Sequence, residues 1–143
     1  MSEEQNLTEL QKNIIRFFHQ NTFADHMNVE VVMEESGSAH LELVVEEYHT
    51  NLYNIAHGGV LMTLADTAMG AACLELGKKV VTIQLGIEFM HSVPLTERII
   101  ARAKVLHDGR RTMACECEML SREGKLFAKS HGTFYVLGLL EEG

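Results

Sequence analysis

From Val60 to Leu74 the chain is apolar all the way round a helical wheel: Leu61, Met62, Leu64, Ala65, Ala68, Met69, Ala71 and Ala72 leave no polar face, and Asp66 is the single charge among them. Alanine, leucine and methionine favour helix and Gly77 supplies a stop, so the pattern predicts a buried helix over residues 58–76. A helix of this kind belongs in a core, and the rest of the chain must wrap it. A lone carboxylate in such a place is costly unless it is hydrogen-bonded, paired or facing a water-filled site, and the helix itself offers no neighbouring cation.

The flanking sequence supplies the wrapping. Residues 6–20 read as an amphipathic helix with Leu7, Leu10, Ile14, Phe17 and Phe18 on one face, Asn6 as candidate cap, Glu9 three residues on, and a place at the sheet margin. Two alternating stretches, 27–34 and 39–46, joined at Ser36-Gly37, predict a hairpin with Leu41, Leu43 and Val45 on one face. Four further strands are predicted over 80–90, 98–107, 112–120 and 125–137, divided by a loop holding Pro94 and by the turn signals Asp108-Gly109 and Glu123-Gly124. Gly86 inside the first of these reads as a bulge or as room for a ligand, the bulge being favoured. Helix, two strands, buried helix, four strands is an α+β order, and an antiparallel sheet curled around one helix buries that helix most completely. With 143 residues, 46% of them apolar, the whole of 1–143 is expected to be one domain, residues 1–26 forming its N-terminal helical segment.

Several classes of function fall away. A formal net charge of −8 argues against nucleic-acid binding, which wants a basic face. Cys73, Cys115 and Cys117 are odd in number and two of them share a strand face, so they make no disulfide framework and suit a reduced, cytoplasmic protein. The acidic start lacks the basic region of a signal peptide, and no run is long and apolar enough to span a membrane. The histidines show no metal-ligand spacing, and no metal or separate cofactor is expected. Neither a Gly-x-Ser-x-Gly elbow nor a phosphate-binding glycine loop occurs.

The start of the buried helix points to a chemistry. Its first N–H groups have no intrahelical partner and sit at the positive end of the helix dipole, and Gly58 and Gly59 let another group come close. A donor for developing negative charge and a carboxylate for base or nucleophile work are two parts that acyl transfer requires. His57, just before the helix, reads as a cap or an orienter of the loop rather than as the acid or base.

Asn51, then His57-Gly58-Gly59, then Asp66 within Leu-Ala-Asp-Thr-Ala resembles the signature of the hotdog-fold acyl-CoA thioesterases of the phenylacetic-acid-degradation type, over about residues 27–136. That resemblance implies a hotdog fold and thioester hydrolysis at dimer interfaces. It gives Gly58 the amide that polarises the thioester carbonyl, Asp66 the role of base or nucleophile, and Asn51 and Thr82 supporting roles. Geometry adds an independent requirement. Gly58 and Asp66 stand roughly 12 Å apart along one helix at about 1.5 Å per residue, whereas groups acting on one carbonyl must each come within about 3 Å of it or one water away. Two antiparallel helices across a two-fold axis meet that requirement, pairing Gly58 of one chain with Asp66 of the other.

The expected protein is therefore an acyl-CoA thioesterase working as a homodimer or dimer of dimers, with coenzyme A entering as part of the substrate. Gly59 and the Arg110-Arg111 turn, with Lys129 or His131, are candidates to hold the coenzyme A moiety; a solvated hairpin tip is the alternative for the arginines. Leu52, Tyr53, Leu61 and Met90 are the expected acyl-pocket residues. A hydratase or dehydratase of enoyl and hydroxyacyl thioesters, and a non-catalytic acyl-CoA-binding module, are the competing functions.

Overall fold

The computed structural model of the chain describes residues 8–33 and 37–140. Along it come α1 (Glu9–Phe18), α2 (Thr22–His26), β1 (Glu30–Met33), β2 (Ser38–Val44), a short 3-10 turn at Glu47–His49, α3 (Gly58–Glu75), β3 (Lys78–Phe89), β4 (Arg98–Asp108), β5 (Thr112–Leu120) and β6 (Leu126–Leu139). The strands form one antiparallel sheet in the order β1-β2-β4-β5-β6-β3, and α3 lies against its inner face. The α+β architecture with one wrapped helix is the one the sequence predicts.

Side-chain size explains how the sheet closes on the helix. One row across the inner face runs Leu41, Ala101, Met119, Ala128 and Phe89, and the next runs Ala39, Ala103, Cys117, Ser130 and Ile87. The small members leave a hollow, and Ala65, Ala68 and Ala72 of α3, all fully buried, fit into it. Gly132 of β6 sits where Met69 of α3 comes down. A β-carbon there would stand 2.9 Å from the Phe134 ring and 3.2 Å from the Met69 methyl. Gly132→Ala is therefore expected to cost about 1–3 kcal/mol by overpacking and to lower the thermal midpoint by several degrees. A melting curve superimposable on wild type would contradict it.

Leu76 closes α3 and Gly77, at φ +79, carries the chain out of it, as the sequence predicts. Elsewhere the structure corrects the boundaries. Helix α1 begins after Thr8, whose hydroxyl accepts from the Gln11 N–H while the Gln11 side chain accepts from the Thr8 N–H, a reciprocal cap. The candidate cap Asn6 lies outside the described residues. On α1, Ile14 and Phe18 are buried and Phe17 is partly exposed, and the element it packs on is α3 rather than the sheet margin. The unpredicted α2, capped by Asn21, occupies the chain up to His26, so β1 starts at Glu30 and not at residue 27.

Strand β3 departs from simple alternation. Thr82 pairs with Phe134 and Gln84 with Thr133, leaving Ile83 as one extra residue. This bulge shifts the phase, so that Thr82 before it and Leu85 and Ile87 after it all oppose inward-facing residues of β6. The bulge expected at Gly86 is not there. Gly86 pairs regularly with His131, whose ring lies over it: a β-carbon at 86 would fall 2.8 Å from that ring. Glycine is there for side-chain room, not for an irregular backbone.

Candidate functional site

The loop leading into α3 is built by side chains that satisfy one another. Asn51 Oδ1 accepts from the Tyr53 N–H at 2.8 Å and the Ile55 N–H at 3.4 Å, closing a tight turn in which Asn54 takes φ +59. Buried His49 donates from Nε2 to the Met27 carbonyl at 2.8 Å, accepts at Nδ1 from the Glu46 N–H, and offers its own carbonyl to the His57 N–H at 2.8 Å. His49 thus fixes where the helix begins. Sequence reasoning missed it, because nothing in Tyr48-His49-Thr50 distinguishes an anchor from a loop histidine.

At the start of α3 the orphan N–H groups are shared out unequally. His57 Nδ1 accepts from the Gly59 N–H at 2.9 Å, and the His57 carbonyl accepts from the Val60 N–H at 2.8 Å. The Gly58 N–H has no acceptor among the described residues. His57 is thus a cap, as read from the sequence, and capping removes Gly59 from the set of available donors. What is left is one amide at the positive end of an eighteen-residue helix. Phe89 lies beside it, its ring 3.4 Å from where a Gly58 β-carbon would be.

Eight residues on, half-buried Asp66 accepts through Oδ1 from the Thr82 hydroxyl at 2.5 Å. The row Met113, Phe134, Thr82 puts that hydroxyl on the helix side of the sheet, at a position that is itself exposed. The carboxylate opens into a cavity of about 370 Å³ between α3, the end of α1 and the start of β3. It is lined by Phe17, Phe18 and Asn21 from α1 and the start of α2, by Gly70, Ala71 and Leu74 from α3, and by Lys79, Val80 and Leu137 from β3 and β6. None of the expected acyl-pocket residues lines it. Leu52 and Tyr53 project into solvent from the loop, at 94% and 79% exposure, and Leu61 is in the core. The reason is the docking of α1 and α2 over the Asp66 face of α3, which amphipathicity alone does not locate.

One chain does not unite the two halves of the site. Gly58 stands beside Phe89 at the end of β3 and Asp66 beside Thr82, seven residues earlier in that strand, and α3 runs unbroken between them. The candidates for the coenzyme A moiety also separate. Arg110 and Arg111 lie exposed at the β4–β5 tip, where the Arg111 carbonyl accepts from the Val136 N–H, at the Lys78 end of β3. Lys129 and His131 do not join them. Lys129 stands 3.6 Å from Glu116, whose carboxyl is held below its ordinary range by hydrogen-bonded Lys104 and then by Lys129 itself. His131 lies over Gly86 in mid-strand.

The thiols offer no nucleophile here. Cys73 and Cys115 are buried against each other with sulfurs 3.5 Å apart, and burial pushes the Cys117 thiol up to about 12. Among the described residues, no helix is long and apolar enough to cross a membrane.

Comparison with known proteins places the chain. A profile described as Thioesterase superfamily matches residues 53–128. Acyl-coenzyme A thioesterase PaaI of Escherichia coli (strain K12) is 25% identical over 127 residues, 89% of this chain and 91% of its own. The solved E. coli PaaI protein superposes with a TM-score of 0.86 at 24% identity, covering 92% of this chain and 96% of that one. Acyl-coenzyme A thioesterase 13 of Homo sapiens is 32% identical over 108 residues, 73% of this chain and 77% of its own. A hypothetical thioesterase protein of Streptococcus pneumoniae TIGR4, solved with coenzyme A, gives a TM-score of 0.83 at 27% identity, covering 89% of this chain and 99% of that one. Structures titled as mutants of such a protein carry alanine at an aspartate and, separately, at a threonine sixteen residues further along. The matched residues hold the helix start and Asp66 with Thr82, and on that match the chain belongs to the thioesterase superfamily as a hotdog-fold thioester hydrolase.

Proposed function

We propose that two copies of the chain pair edge to edge through β3 and hydrolyse acyl-CoA thioesters at two equivalent sites. Each site joins the Gly58 N–H of one protomer to Asp66 and Thr82 of its partner. The observation that carries this reading is the separation itself: the unsatisfied Gly58 amide and the Asp66 carboxylate both face outward from the core, and neither can reach the other's substrate atoms alone. Strand β3 ends the sheet, so one of its edges is unpaired, and it exposes Val81 and Ile83 at 47% and 57%. An unpaired edge with exposed apolar side chains is a template for another strand.

In the assembled site the thioester oxygen lies at the Gly58 amide, where the helix dipole favours the charge that develops on it. Asp66 takes a proton from water as the water attacks the carbonyl carbon, and Thr82 holds the carboxylate in the orientation for that transfer. The tetrahedral intermediate collapses by breaking the carbon–sulfur bond, and the thiol of coenzyme A leaves carrying a proton. Direct attack by Asp66 to give an anhydride uses the same geometry. Asn51 and His57 act by holding the loop and capping Gly59. Arg110 and Arg111 are offered to the phosphates of coenzyme A, and Gly59 to the close approach of the thioester.

The relatives support the substrate: two carry acyl-coenzyme A thioesterase in their names, and one was solved with coenzyme A. The aspartate and threonine replaced in the streptococcal structures have the spacing of Asp66 and Thr82. Three buried free cysteines suit a reducing compartment, and the cytoplasm is the location proposed. A dimer of dimers is the larger assembly this reading allows.

Thiol release from phenylacetyl-, benzoyl- and straight-chain acyl-CoA tests the activity directly, and no release from any of them would end the reading. Ile83→Asp tests the pairing. It places a charge on the apolar edge and is expected to yield folded monomers with activity reduced at least tenfold, although Gly58 and Asp66 are untouched. Active monomers in sedimentation would remove the dimer from the mechanism.

A further inference from the structure

Gly70 lies inside α3, and neither of the reasons that hold other glycines in this chain applies to it. It does not take the positive φ of Gly37, Gly77 or Gly124, and no neighbour crowds it as His131 crowds Gly86 or Met69 crowds Gly132. Apart from the adjoining residues of the helix, a β-carbon built on Gly70 would meet no atom within 4 Å. Glycine inside a helix is destabilising relative to alanine, so a bare position that packs against nothing calls for another cause.

The cavity beside Asp66 supplies it. Asp66, Gly70 and Leu74 follow one another at intervals of four residues along one face of α3, and all three line that cavity. Thr67 and Ala71 line it as well, so the direction in which a side chain at 70 would point falls inside the arc of the helix that the cavity covers. The empty space at Gly70 is therefore cavity space. Phe17 and Phe18 of α1 and Phe134 of β6 contribute apolar lining to the same cavity.

From this arrangement we infer that Gly70 is a specificity-determining residue: the acyl group runs along α3 from Asp66 toward Leu74 and crosses the bare backbone of Gly70, whose missing side chain sets how bulky that group can be. The inference rests on the thioesterase reading above and adds to it the residue that sizes the acyl group. Gly70 lies roughly 6 Å along the helix axis from Asp66, at about 1.5 Å per residue. With its carbonyl one water away from Asp66, a propionyl group ends short of Gly70, because its remaining carbons reach only about 3 Å at roughly 1.5 Å per bond. An octanoyl or phenylacetyl group continues across it. The apolar lining suits such a group better than the pantetheine arm of coenzyme A, whose amides would each need a partner there. In a cavity of about 370 Å³, at the small end of ligand sites, methylenes added at 70 compete directly with the acyl group.

The test is kcat/KM for thiol release from propionyl-, octanoyl- and phenylacetyl-CoA with wild type, Gly70→Ala and Gly70→Leu, beside melting curves of all three proteins. Gly70→Leu should lower the octanoyl-to-propionyl and phenylacetyl-to-propionyl ratios by about tenfold or more, the scale on which methylene-sized changes in an apolar pocket discriminate. Gly70→Ala should lower them by a smaller but measurable factor and raise the thermal midpoint by a few degrees, since it replaces a helix-interior glycine without a clash. A glycine kept for packing alone predicts the reverse, a lowered midpoint with unchanged ratios. Thiol release with ratios that neither variant moves would overturn the inference and leave the thioesterase reading standing, as would a wild type that cleaves propionyl-CoA alone. Should Gly70→Leu fail to fold, the ratios of Gly70→Ala decide in the same way. Absence of thiol release from every ester would overturn both.

Discussion

Asp66→Asn is expected to lower acyl-CoA hydrolysis by about two to four orders of magnitude, the range over which a positioned general base acts. The substitution is close to isosteric, and the asparagine Oδ1 can still accept from the Thr82 hydroxyl that now bonds the carboxylate. What is lost is the capacity to take a proton or to attack. Stability should hold or rise slightly, since a charge is removed from the middle of a largely apolar helix. Steady-state turnover beside a melting curve and a sedimentation profile separates lost chemistry from lost fold. Turnover within a few-fold of wild type would mean that Asp66 is only a structural partner of Thr82.

Mixing two inactive variants should restore activity. Gly58 is the first residue of α3, where proline is tolerated, and His57 before it has φ −63 and ψ 138, the extended conformation that a residue preceding proline adopts. Gly58→Pro therefore deletes the single unpaired N–H with little other change and should cost about a hundredfold in kcat or more. In a mixed dimer of Gly58→Pro and Asp66→Asn, one site inherits both defects and the other neither. Random reassociation of equal amounts should then recover about one quarter of wild-type activity. A site contained within one chain predicts no recovery at all, so the experiment decides the architecture as well as the roles.

Much of the fold was legible because the strongest signals were local. The apolar run of α3 and the Gly77 stop gave the helix within one residue, and alternation at Leu41, Leu43 and Val45 gave β2 its buried face. The span 112–120 was read with its observed ends, bounded as it is by turn residues on both sides. What stayed hidden depends on contacts between segments. Helix α2 is five residues long, too short to display a periodicity, and its cap by Asn21 looks like an ordinary loop residue. The phase shift at Ile83 is a property of pairing with β6 and leaves no mark in β3 itself. The same holds at the site. The sequence named Gly58, Gly59 and His57 together, but only the hydrogen-bond assignments separate the capped amide from the bare one. That Leu52 and Tyr53 do not line the cavity at Asp66 was also hidden, because the docking of α1 over Asp66 is a long-range event.

The extra residue at Ile83 has a bearing on how this strand can change over time. Upstream of it β3 presents Thr82 to the helix; downstream it presents Leu85 and Ile87 to the core; each half keeps its orientation only because the other begins one position late. Exchanging one side chain for another leaves that timing intact, whereas dropping or adding a single codon in this stretch would rotate either the Asp66 partner or half of the hydrophobic wall outward. Descendants of this chain can therefore vary β3 at positions other than Thr82 and Gly86 more readily than they can change its length.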